Sequence, residues 1–293
     1  MKNLLKVGFV ILSYKNVIDT VECIESLRNI KGNFDIKIYL VDNSDNEDFL
    51  KDILNKVNVD FFKKVENNGY SSGNNIGMQT AYEDGCQYIV VINNDTVVEP
   101  NFLKPMIDFM ENNIDVGAVS PVILTFKGEK IWCSGGVYRK LLGNYSMTRK
   151  TIDEPTRAEF ISGCCLCIRR STLEKVGYFD ETYFMYNEDS DWCFRLTKAK
   201  FKMFVIPESI IYHKVSLSSG INSPFQLYYI FRNRLVFIYK NFNGLKKLIY
   251  LFLNYFITFA KSLKYRICRD KNRSDALNYS MIDAKNNLGR YRY

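Results

Sequence analysis

Alternating strand and helix patterns in the first hundred residues constrain the fold of this chain most strongly. Short apolar runs predict buried strands, and the segments between them carry apolar residues at helical spacing. The runs are 7–12, 36–41, 59–65 and 88–92, and the predicted helices lie over 17–30, near 49–54 and around 78–82. Strands that are apolar throughout and separated by helices are typical of a parallel sheet covered by helices. The sequence therefore predicts an α/β fold.

The rest of the chain predicts a less regular middle and a helical end. We expect helices over 101–111, 171–176 and 188–200, and strands over 116–125, 131–133, 164–168, 201–206 and 210–213. The segment 138–159 is polar and weakly patterned, which favours a mobile loop. After Pro224 the pattern changes to aromatic-rich helices over 225–242 and 245–269. We therefore predict two domains, residues 1–224 and residues 225–293.

Charge divides the chain at the same place. The protein has 293 residues and a net charge of +8, and residues 225–273 hold eleven Lys or Arg against the one acid Asp270. Residues 1–224 are mildly acidic. A basic, aromatic-rich helical segment favours an anionic membrane surface, packing on the first domain, or both. Nucleic acid is a disfavoured partner because no nucleic-acid module is recognisable.

Apolar runs and cysteines point to a cytosolic setting. No run reaches the roughly 20 apolar residues that span a bilayer. The first apolar run lacks a cleavage site, so we interpret it as a buried strand rather than a secretory signal. The eight cysteines are then expected as reduced thiols. The cluster at 164–167 lacks the spacing of zinc ligands.

Polar residues follow three of the predicted strands where each strand ends. They are Ser13 and Tyr14 after the first strand, Asp42 after the second, and Asn93, Asn94 and Asp95 after the fourth. Each group is compatible with ordinary turn chemistry. However, the carboxyl ends of parallel strands meet at one edge, where open α/β sheets bind their ligands. The three groups together therefore predict a binding site.

A glycine-rich segment, 67–77, precedes the third predicted helix. Its glycines let backbone amides approach a ligand, and a helix start favours anions. It matches neither the GxGxxG fingerprint nor the GxxxxGK[ST] phosphate loop, which argues against dehydrogenases and ATPases of those kinds. A simple turn before a capped helix is the alternative.

Three carboxylates lie within four residues at the start of the helix predicted over 188–200: Glu188, Asp189 and Asp191. The helix macrodipole favours acids there. A carboxylate at such a site also accepts a proton from a substrate hydroxyl. On the helix, Glu188 and Asp191 share a face and Asp189 points elsewhere.

The only histidine, His213, follows a short predicted strand. A lone histidine is usually structural, but imidazole is also a good ligand for divalent metals. Asp95 supplies a hard oxygen at another strand end. Together with a diphosphate, the two would make a site for Mg²⁺ or Mn²⁺.

In their order along the chain, these motifs resemble those of family 2 glycosyltransferases with the GT-A fold, and especially the bacterial rhamnosyltransferase-like branch. The matching segments are 10–14, 41–44, 68–75, 93–96, 161–163, 184–195 and His213. The resemblance covers residues 7 to about 215. It implies a mostly parallel, Rossmann-like sheet flanked by helices, with the basic segment as a C-terminal helical extension.

The resemblance also implies a role for each matching residue. Asp189 would be the catalytic base that deprotonates the acceptor hydroxyl. Asp95, which matches the last acid of the family's DxD signature, would bind Mg²⁺ or Mn²⁺ with His213. Because the first acid of that signature is Asn93 here, only one carboxylate is offered to the metal. The acceptor pocket would be shaped by Glu188, Asp191 and Trp192. The donor nucleotide would be bound by Ser13, Tyr14, Asp42, Asn68, Gly69, Asn74, Asn75, Asn93 and Asn94.

The implied function is an inverting, metal-dependent glycosyltransferase of bacterial surface polysaccharide synthesis. Its expected donor is dTDP-rhamnose, and its expected acceptor is a lipid-linked saccharide. A UDP-hexose or UDP-N-acetylhexosamine transferase of the same fold is one alternative. A catalytically silent nucleotide-sugar-binding scaffold subunit is another, against which the intact Asp95, Asp189 and His213 argue. The expected location is the cytoplasm, peripherally on the inner face of the cell membrane, and the oligomeric state is left open.

Overall fold

The computed structural model of the chain describes residues 4–126, 128–214 and 222–286. Its strands are β1 (Leu5–Ser13), β2 (Phe34–Asp42), β3 (Phe61–Lys64), β4 (Tyr88–Asn93), β5 (Thr96–Val98), β6 (Val116–Thr125), β7 (Ile131–Cys133), β8 (Gly136–Arg139), β9 (Asn144–Met147), β10 (Thr156–Ala158), β11 (Cys165–Arg169) and β12 (Lys202–His213). Its helices are α1 (Val17–Arg28), α2 (Asp48–Leu54), α3 (Tyr70–Glu83), α4 (Leu103–Asn112), α5 (Arg170–Val176), α6 (Glu188–Lys198), α7 (Pro224–Asn241), α8 (Gly244–Ile267) and α9 (Lys271–Asn286).

One large sheet runs in the order β10-β12-β6-β11-β4-β1-β2-β3, with β5 beside β12 and β7 beside β6. The neighbours β3, β2, β1 and β4 run parallel, and so do β6 and β12. Between these two parallel groups, β11 pairs antiparallel with both β4 and β6. The predicted α/β fold, with a mostly parallel sheet flanked by helices and a helical C-terminal part, is confirmed.

The continuous apolar strands are buried because helices cover both faces of the sheet. Phe9 and Ile11 of β1 face a cluster that includes residues of α1, α2 and α4. Val10, on the opposite face, belongs to a second cluster with residues of α3, α5 and α6. All eight cysteines are free thiols, and each of them except Cys268 is buried.

The glycines of the 67–77 segment serve helix packing more than a loop, because α3 already begins at Tyr70. A Cβ at Gly73 would collide with Leu12, and one at Gly77 would collide with Val10. The two glycines therefore let α3 lie close against β1. The prediction of a long loop before a helix near 78–82 was wrong for residues 70–77.

The prediction of a mobile loop over 138–159 was also wrong. Strands β8 and β9 form a hairpin in which Tyr138 lies opposite Tyr145, and β10 joins the main sheet beside β12. The Tyr145 ring lies 5.1 Å from that of Tyr138 and 5.8 Å from that of Phe160. These contacts join distant parts of the chain, so a local polarity pattern does not reveal them. The two predicted strands at 201–213 are one strand, β12, with an irregularity between Ile206 and Ile210.

The C-terminal part contains the two predicted helices, α7 and α8, and a third, α9, which the sequence analysis missed. Helix α7 is largely buried, and Leu235 and Phe237 share an apolar cluster with Tyr183 and Phe194. The boundary at 224/225 stays a prediction, and residues 287–293 of the predicted second domain lie outside the described residues. Among the described helices, none is long and apolar enough to cross a membrane.

Candidate active site at the carboxyl edge of the sheet

The polar strand ends meet at one edge of the sheet. Ser13 lies opposite Asp42 in the β1–β2 pairing, and Leu12 lies opposite Asn93 in the β1–β4 pairing. Ser13 and Asp42 are fully buried, whereas Tyr14 is 40% exposed. The strand-end positions are therefore adjacent, as the parallel arrangement requires.

Asp42 keeps one carboxylate oxygen without a hydrogen bond. Its Oδ1 accepts the Ser44 hydroxyl at 2.6 Å, while Oδ2 accepts none and lies 3.5 Å from Lys64 Nζ. The neighbouring Asn43 is also buried, and its Oδ1 has no hydrogen-bond partner. Buried polar atoms are nearly always paired, so these two oxygens are suited to a ligand's donor groups. Asn43 adds a candidate that the sequence analysis did not assign.

The start of α3 is tied to the segment that leads into α6. Gly69 has φ +95°, and a Cβ there would collide with the carbonyl oxygen of Phe184. The Tyr70 N–H donates to that same oxygen at 2.6 Å. The backbone around Asn68 and Gly69 is therefore held against residue 184 in a conformation that favours glycine.

The two asparagines of α3 differ in what they offer a ligand. Asn74 donates to the Tyr70 carbonyl, and its buried Oδ1 has no hydrogen-bond partner. Asn75 donates to the Phe179 carbonyl at 2.9 Å and accepts the Phe179 N–H at 3.0 Å. The Asn75 amide thus binds the backbone of residue 179 at both ends, and its contact with a nucleotide stays a prediction.

Tyr70 connects the strand-end edge to the carboxylates of α6. Its hydroxyl lies 3.0 Å from Asn93 Oδ1 and 2.9 Å from the Gly163 carbonyl oxygen, both of which are acceptors. Burial raises the pKa of Tyr70 well above its usual value, and the negative charges of Glu188, Asp189 and Asp95 raise it further. Tyr70 therefore keeps its proton at a position between the strand-end edge and the start of α6. The sequence analysis missed Tyr70 because an aromatic residue at a helix start carries no distinctive signal.

Two residues in left-handed backbone conformation aim the start of α6. Tyr186 has φ +67° and Asn187 has φ +72°. Asn233 of α7, fully buried, donates to the carbonyls of Met185 at 2.9 Å and Tyr186 at 2.7 Å. Because non-glycine residues in this region need support from their surroundings, α7 helps to position the carboxylates that follow.

Glu188 is buried and Asp189 is half-buried, and their carboxyl groups are neighbours at the start of α6. Asp189 accepts the Gly163 N–H at 3.2 Å and the Ser190 N–H at 2.7 Å, whereas Glu188 Oε2 has no hydrogen-bond partner. Burial raises the pKa of both groups, and the charge of Asp189 further raises that of Glu188. Because the Gly163 and Ser190 N–H groups stabilise the Asp189 anion, Asp189 ionises more readily than Glu188. It is thus the better candidate for accepting a proton.

The structure gives Asp191 and Trp192 internal positions instead of the predicted acceptor contacts. Asp191 is 2% exposed and accepts from Arg195 Nε at 2.8 Å and from Asn241 Nδ2 at 3.0 Å. Trp192 is fully buried, and its indole N–H donates to the Gly177 carbonyl. Both residues anchor α6 from its inner side.

The residues predicted to bind metal lie together. Asp95 Oδ1 and His213 Nε2 are 3.1 Å apart, with side chains 10% and 8% exposed. The other ring nitrogen of His213, Nδ1, is buried without a hydrogen-bond partner. Asn94 is turned to Thr20, whose hydroxyl oxygen accepts its amide at 2.9 Å. Within the described ranges, no group of three or more His, Cys, Asp or Glu side chains could hold a metal ion.

A carboxylate and an imidazole at this separation fit two neighbouring ligands of one Mg²⁺ or Mn²⁺ ion. Two protein ligands leave most of the coordination sphere open. Such an open sphere suits an ion that also binds substrate phosphates.

A half-buried carboxylate beside the polar carboxyl edge of a mostly parallel sheet is compatible with a glycosyltransferase, the class that the family match shows. The chain belongs to glycosyl transferase family 2, whose family model matches residues 9–177.

Curated relatives agree with this class. The chain is 22% identical over 240 residues to the low-salt glycan biosynthesis hexosyltransferase Agl10 of Haloferax volcanii, covering 78% of this chain and 73% of that protein. It is 25% identical over 217 residues to the dTDP-rhamnosyl transferase RfbF of Shigella flexneri, covering 70% and 71%. A shorter match, 44% identical over 61 residues, joins it to the N-acetylglucosaminyl-diphospho-decaprenol L-rhamnosyltransferase of Mycobacterium tuberculosis, covering 21% and 20%.

The fold is also found among solved structures. GalNAc-T7 with UDP, GalNAc and Mn²⁺ superposes with a TM-score of 0.66 at 16% identity, covering 98% of this chain. The chain spans 59% of that protein. At this identity the likeness shows the GT-A fold alone.

Proposed function

We propose that this protein is an inverting glycosyltransferase in which Asp189 is the catalytic base. The observation that carries the proposal is the Asp189 carboxylate, which is half-buried, has a raised pKa, and is held by the Gly163 N–H beside the polar edge of the sheet. In the reaction, Asp189 accepts the proton of the acceptor hydroxyl. The acceptor oxygen attacks the anomeric carbon, and the bond from that carbon to the diphosphate oxygen breaks, so the nucleoside diphosphate leaves.

The donor nucleotide is proposed to bind at the strand ends. Asp42 Oδ2 and Asn43 Oδ1, both without hydrogen bonds, are acceptors for the donor groups of a base or ribose. Tyr14, 40% exposed, follows directly after β1 and offers a ring to the same region. The remaining predicted contacts lie nearby at the end of β4, with Asn93, and at the start of α3, with Asn68 and Gly69.

Asp95 and His213 are proposed to hold the Mg²⁺ or Mn²⁺ ion. When bound, the ion would act as a Lewis acid that offsets negative charge on the diphosphate leaving group. The chain's own contribution is a carboxylate and an imidazole at 3.1 Å, mostly removed from water. The support is the fit of this donor set, since carboxylate oxygens suit Mg²⁺ and Mn²⁺ and imidazole suits many divalent metals.

The proposed sugar is rhamnose from dTDP-rhamnose, and the proposed acceptor is a lipid-linked saccharide in bacterial surface polysaccharide synthesis. The match to the Shigella dTDP-rhamnosyl transferase supports the donor, and the mycobacterial relative, named for a diphospho-decaprenol substrate, supports the acceptor class. The match to an archaeal hexosyltransferase supports the alternative, a UDP-hexose or UDP-N-acetylhexosamine transferase. A silent scaffold subunit is disfavoured because this chain keeps the candidate base, with Asp189 at the Gly163 N–H, and both candidate metal ligands, with Asp95 beside His213.

A donor panel tests the proposal. We expect the purified protein with Mn²⁺ to hydrolyse dTDP-rhamnose slowly without acceptor and to leave UDP-glucose, UDP-galactose and UDP-N-acetylglucosamine largely intact. Release of the nucleoside diphosphate is the measurement. Hydrolysis of a UDP-sugar instead would select the alternative donor, and binding of donors without turnover under any condition would select the scaffold.

We further propose that α8 lies on an anionic membrane surface. The buried face of this 24-residue helix is mostly polar, with Tyr250, Asn254, Thr258 and Ser262. Its large apolar residues are exposed. The outward residues, named the α8 apolar face below, are Leu245, Leu248, Ile249, Phe252, Phe256, Phe259, Leu263 and Ile267, which are 45–74% exposed. The helix contains no acid and is flanked by exposed basic residues such as Lys246 and Arg266. An apolar stripe bordered by cations matches the headgroup region of an anionic bilayer.

A pair of substitutions tests this membrane contact. Phe252→Ser with Phe256→Ser is expected to weaken binding to phosphatidylglycerol-containing vesicles at least about tenfold, since burying each ring contributes about 1.5–3 kcal/mol. Co-flotation with the vesicles is the measurement. Phe62→Ser removes a ring that is 55% exposed on β3 and should float like the unchanged protein. Unchanged flotation of the double variant would refute the contact.

A further inference from the structure

Four cations gather where α7, α8 and the β8–β9 hairpin meet. We call Arg139, Arg234, Lys261 and Lys264 the cationic cluster. The Arg234 guanidinium lies 5.0 Å from the centre of the Phe231 ring, and Lys261 Nζ lies 4.9 Å from the same centre. Burial and the charge of Arg139 lower the pKa of Arg234, and burial with the charges of Arg234 and Lys264 lowers that of Lys261. Arg234 and Lys261 therefore share the Phe231 ring, and Arg139 and Lys264 add to the positive charge around them.

The cluster lacks the counter-charge that two other cations of the C-terminal helices have. Lys240 pairs with Asp180, and Arg273 pairs with Asp270. In the part of the chain that the structure describes, no carboxylate forms an ion pair with any member of the cluster. Arg234 and Lys261 are partly buried, and like charges held together without a counter-charge oppose folding. Their persistence at one place is typical of a site that an anion completes.

Chain neighbours connect the cluster to the segments before Asp189 and to the α8 apolar face. Arg234 follows Asn233, which holds the Met185 and Tyr186 carbonyls just before the Glu188–Asp189 pair. Arg139 ends β8, whose first residue, Gly136, bridges to Phe160 shortly before Gly163. On the other side, Lys261 and Lys264 lie on α8 among the exposed Phe259 and Leu263.

We propose that the cationic cluster binds the phosphate groups of a lipid-linked acceptor while α8 rests on the membrane. This inference rests on the proposed transfer to a lipid-linked acceptor and names the part of the chain that recognises its phosphates. A guanidinium presents paired N–H donors that match phosphate oxygens, and a lysine adds a mobile point charge. Arg139 and Lys264 are exposed, and Arg234 and Lys261 are partly exposed, so a phosphate can reach them.

Vesicle binding tests the proposal and separates the two sources of phosphate. The probes are phosphatidylcholine vesicles that carry either a polyprenyl diphosphate or phosphatidylglycerol at matched surface charge. We expect the unchanged protein to prefer the diphosphate vesicles. Arg234→Gln with Lys261→Gln should abolish that preference, because each cation removed should weaken binding to the diphosphate vesicles about fivefold. The control, Lys56→Gln with Lys63→Gln, removes the same charge from exposed positions and should keep the preference.

The contrary outcomes are distinct. A cluster variant that keeps the preference overturns the proposal. Equal binding of both vesicle types by the unchanged protein assigns the cluster to phospholipid headgroups and also overturns it. If the Arg234 variant does not fold, Arg139→Gln with Lys264→Gln, at exposed positions, carries the same expectation. Donor binding is also measured on each preparation. An unchanged protein that binds no donor would refute the proposed function, whereas the vesicle result tests the cluster by itself.

Discussion

Replacing Asp189 by asparagine is expected to lower kcat by about 10²–10⁴-fold, the usual contribution of a positioned general base. The amide keeps the size of the carboxylate and its carbonyl oxygen can still accept the Gly163 N–H. It cannot take a proton from the acceptor hydroxyl. Donor binding should therefore stay unchanged, because the substitution removes a step that follows donor binding. Transfer is measured with acceptor, and donor affinity is measured separately by calorimetry.

The pH profile distinguishes a base from a merely structural carboxylate. Because burial raises the pKa of Asp189, its proton leaves at a higher pH than that of an ordinary aspartate. Activity should thus rise with pH through this raised pKa, and the rise should be absent in the Asp189→Asn protein. Asp153→Asn, at an exposed position, should retain both the rate and the rise. Undiminished turnover by the Asp189 variant would disprove the assignment.

The parts of the fold that the sequence predicts well are those whose signal is local. The β1 and β4 strands are apolar throughout because both faces are covered, so their pattern is unmistakable. The β8–β9 hairpin is different, since rings such as Tyr145 and Phe160 come together from separate parts of the chain. The polar helix α9 is likewise held by packing on α7 and α8. Tertiary contacts of this kind leave no trace in a short window of sequence.

The same distinction applies to the site. The adjacency of the strand ends follows from where parallel strands stop. Asp95 meets His213 through the antiparallel pairing of β5 with β12, in which Thr96 lies opposite His213. The sequence does not reveal which of the acids at the start of α6 point inward, because three acids within four residues are distributed around the helix. The structure turns Asp191 inward to Arg195 and leaves Asp189 at the Gly163 amide. The residues that support Asp189 could not be assigned from the sequence. Tyr70 and Asn233 lie far along the chain from the residues that they contact.

These supports also change the meaning of the C-terminal helices. Asn233 of α7 binds the carbonyls before Glu188, and Asn241 binds Asp191. Helix α7, which belongs to the basic C-terminal segment, therefore also supports α6, the helix that contains Asp189. Deleting residues 225–293 would remove these contacts and so disturb α6 as well as any membrane contact. Substitutions at exposed residues of α8 are therefore the sharper test of membrane binding.

Asp95→Asn is expected to weaken donor binding by at least about 10²-fold when Mn²⁺ is present, a loss comparable to removing one main stabiliser of a charged leaving group. Asparagine keeps the shape of the side chain but lacks the negative charge that binds a divalent ion. Only one carboxylate serves the predicted metal position, since Asn93 replaces the other acid of the signature. No second acid at that signature position can therefore compensate. Calorimetry with donor, with and without Mn²⁺, is the measurement and does not depend on turnover.

The metal role requires two further results from the same titrations. In the presence of a chelator, the unchanged protein and the Asp95 variant should bind the donor equally weakly, because neither then has an ion to share. His213→Gln should show a smaller loss than Asp95→Asn, since it replaces a neutral ligand and leaves the charge of Asp95 in place. Asp115→Asn, whose side chain is 50% exposed and pairs with Lys202, should bind donor and Mn²⁺ normally. Donor affinity that is indifferent to Mn²⁺ in the unchanged protein would show that Asp95 and His213 serve the fold rather than a metal.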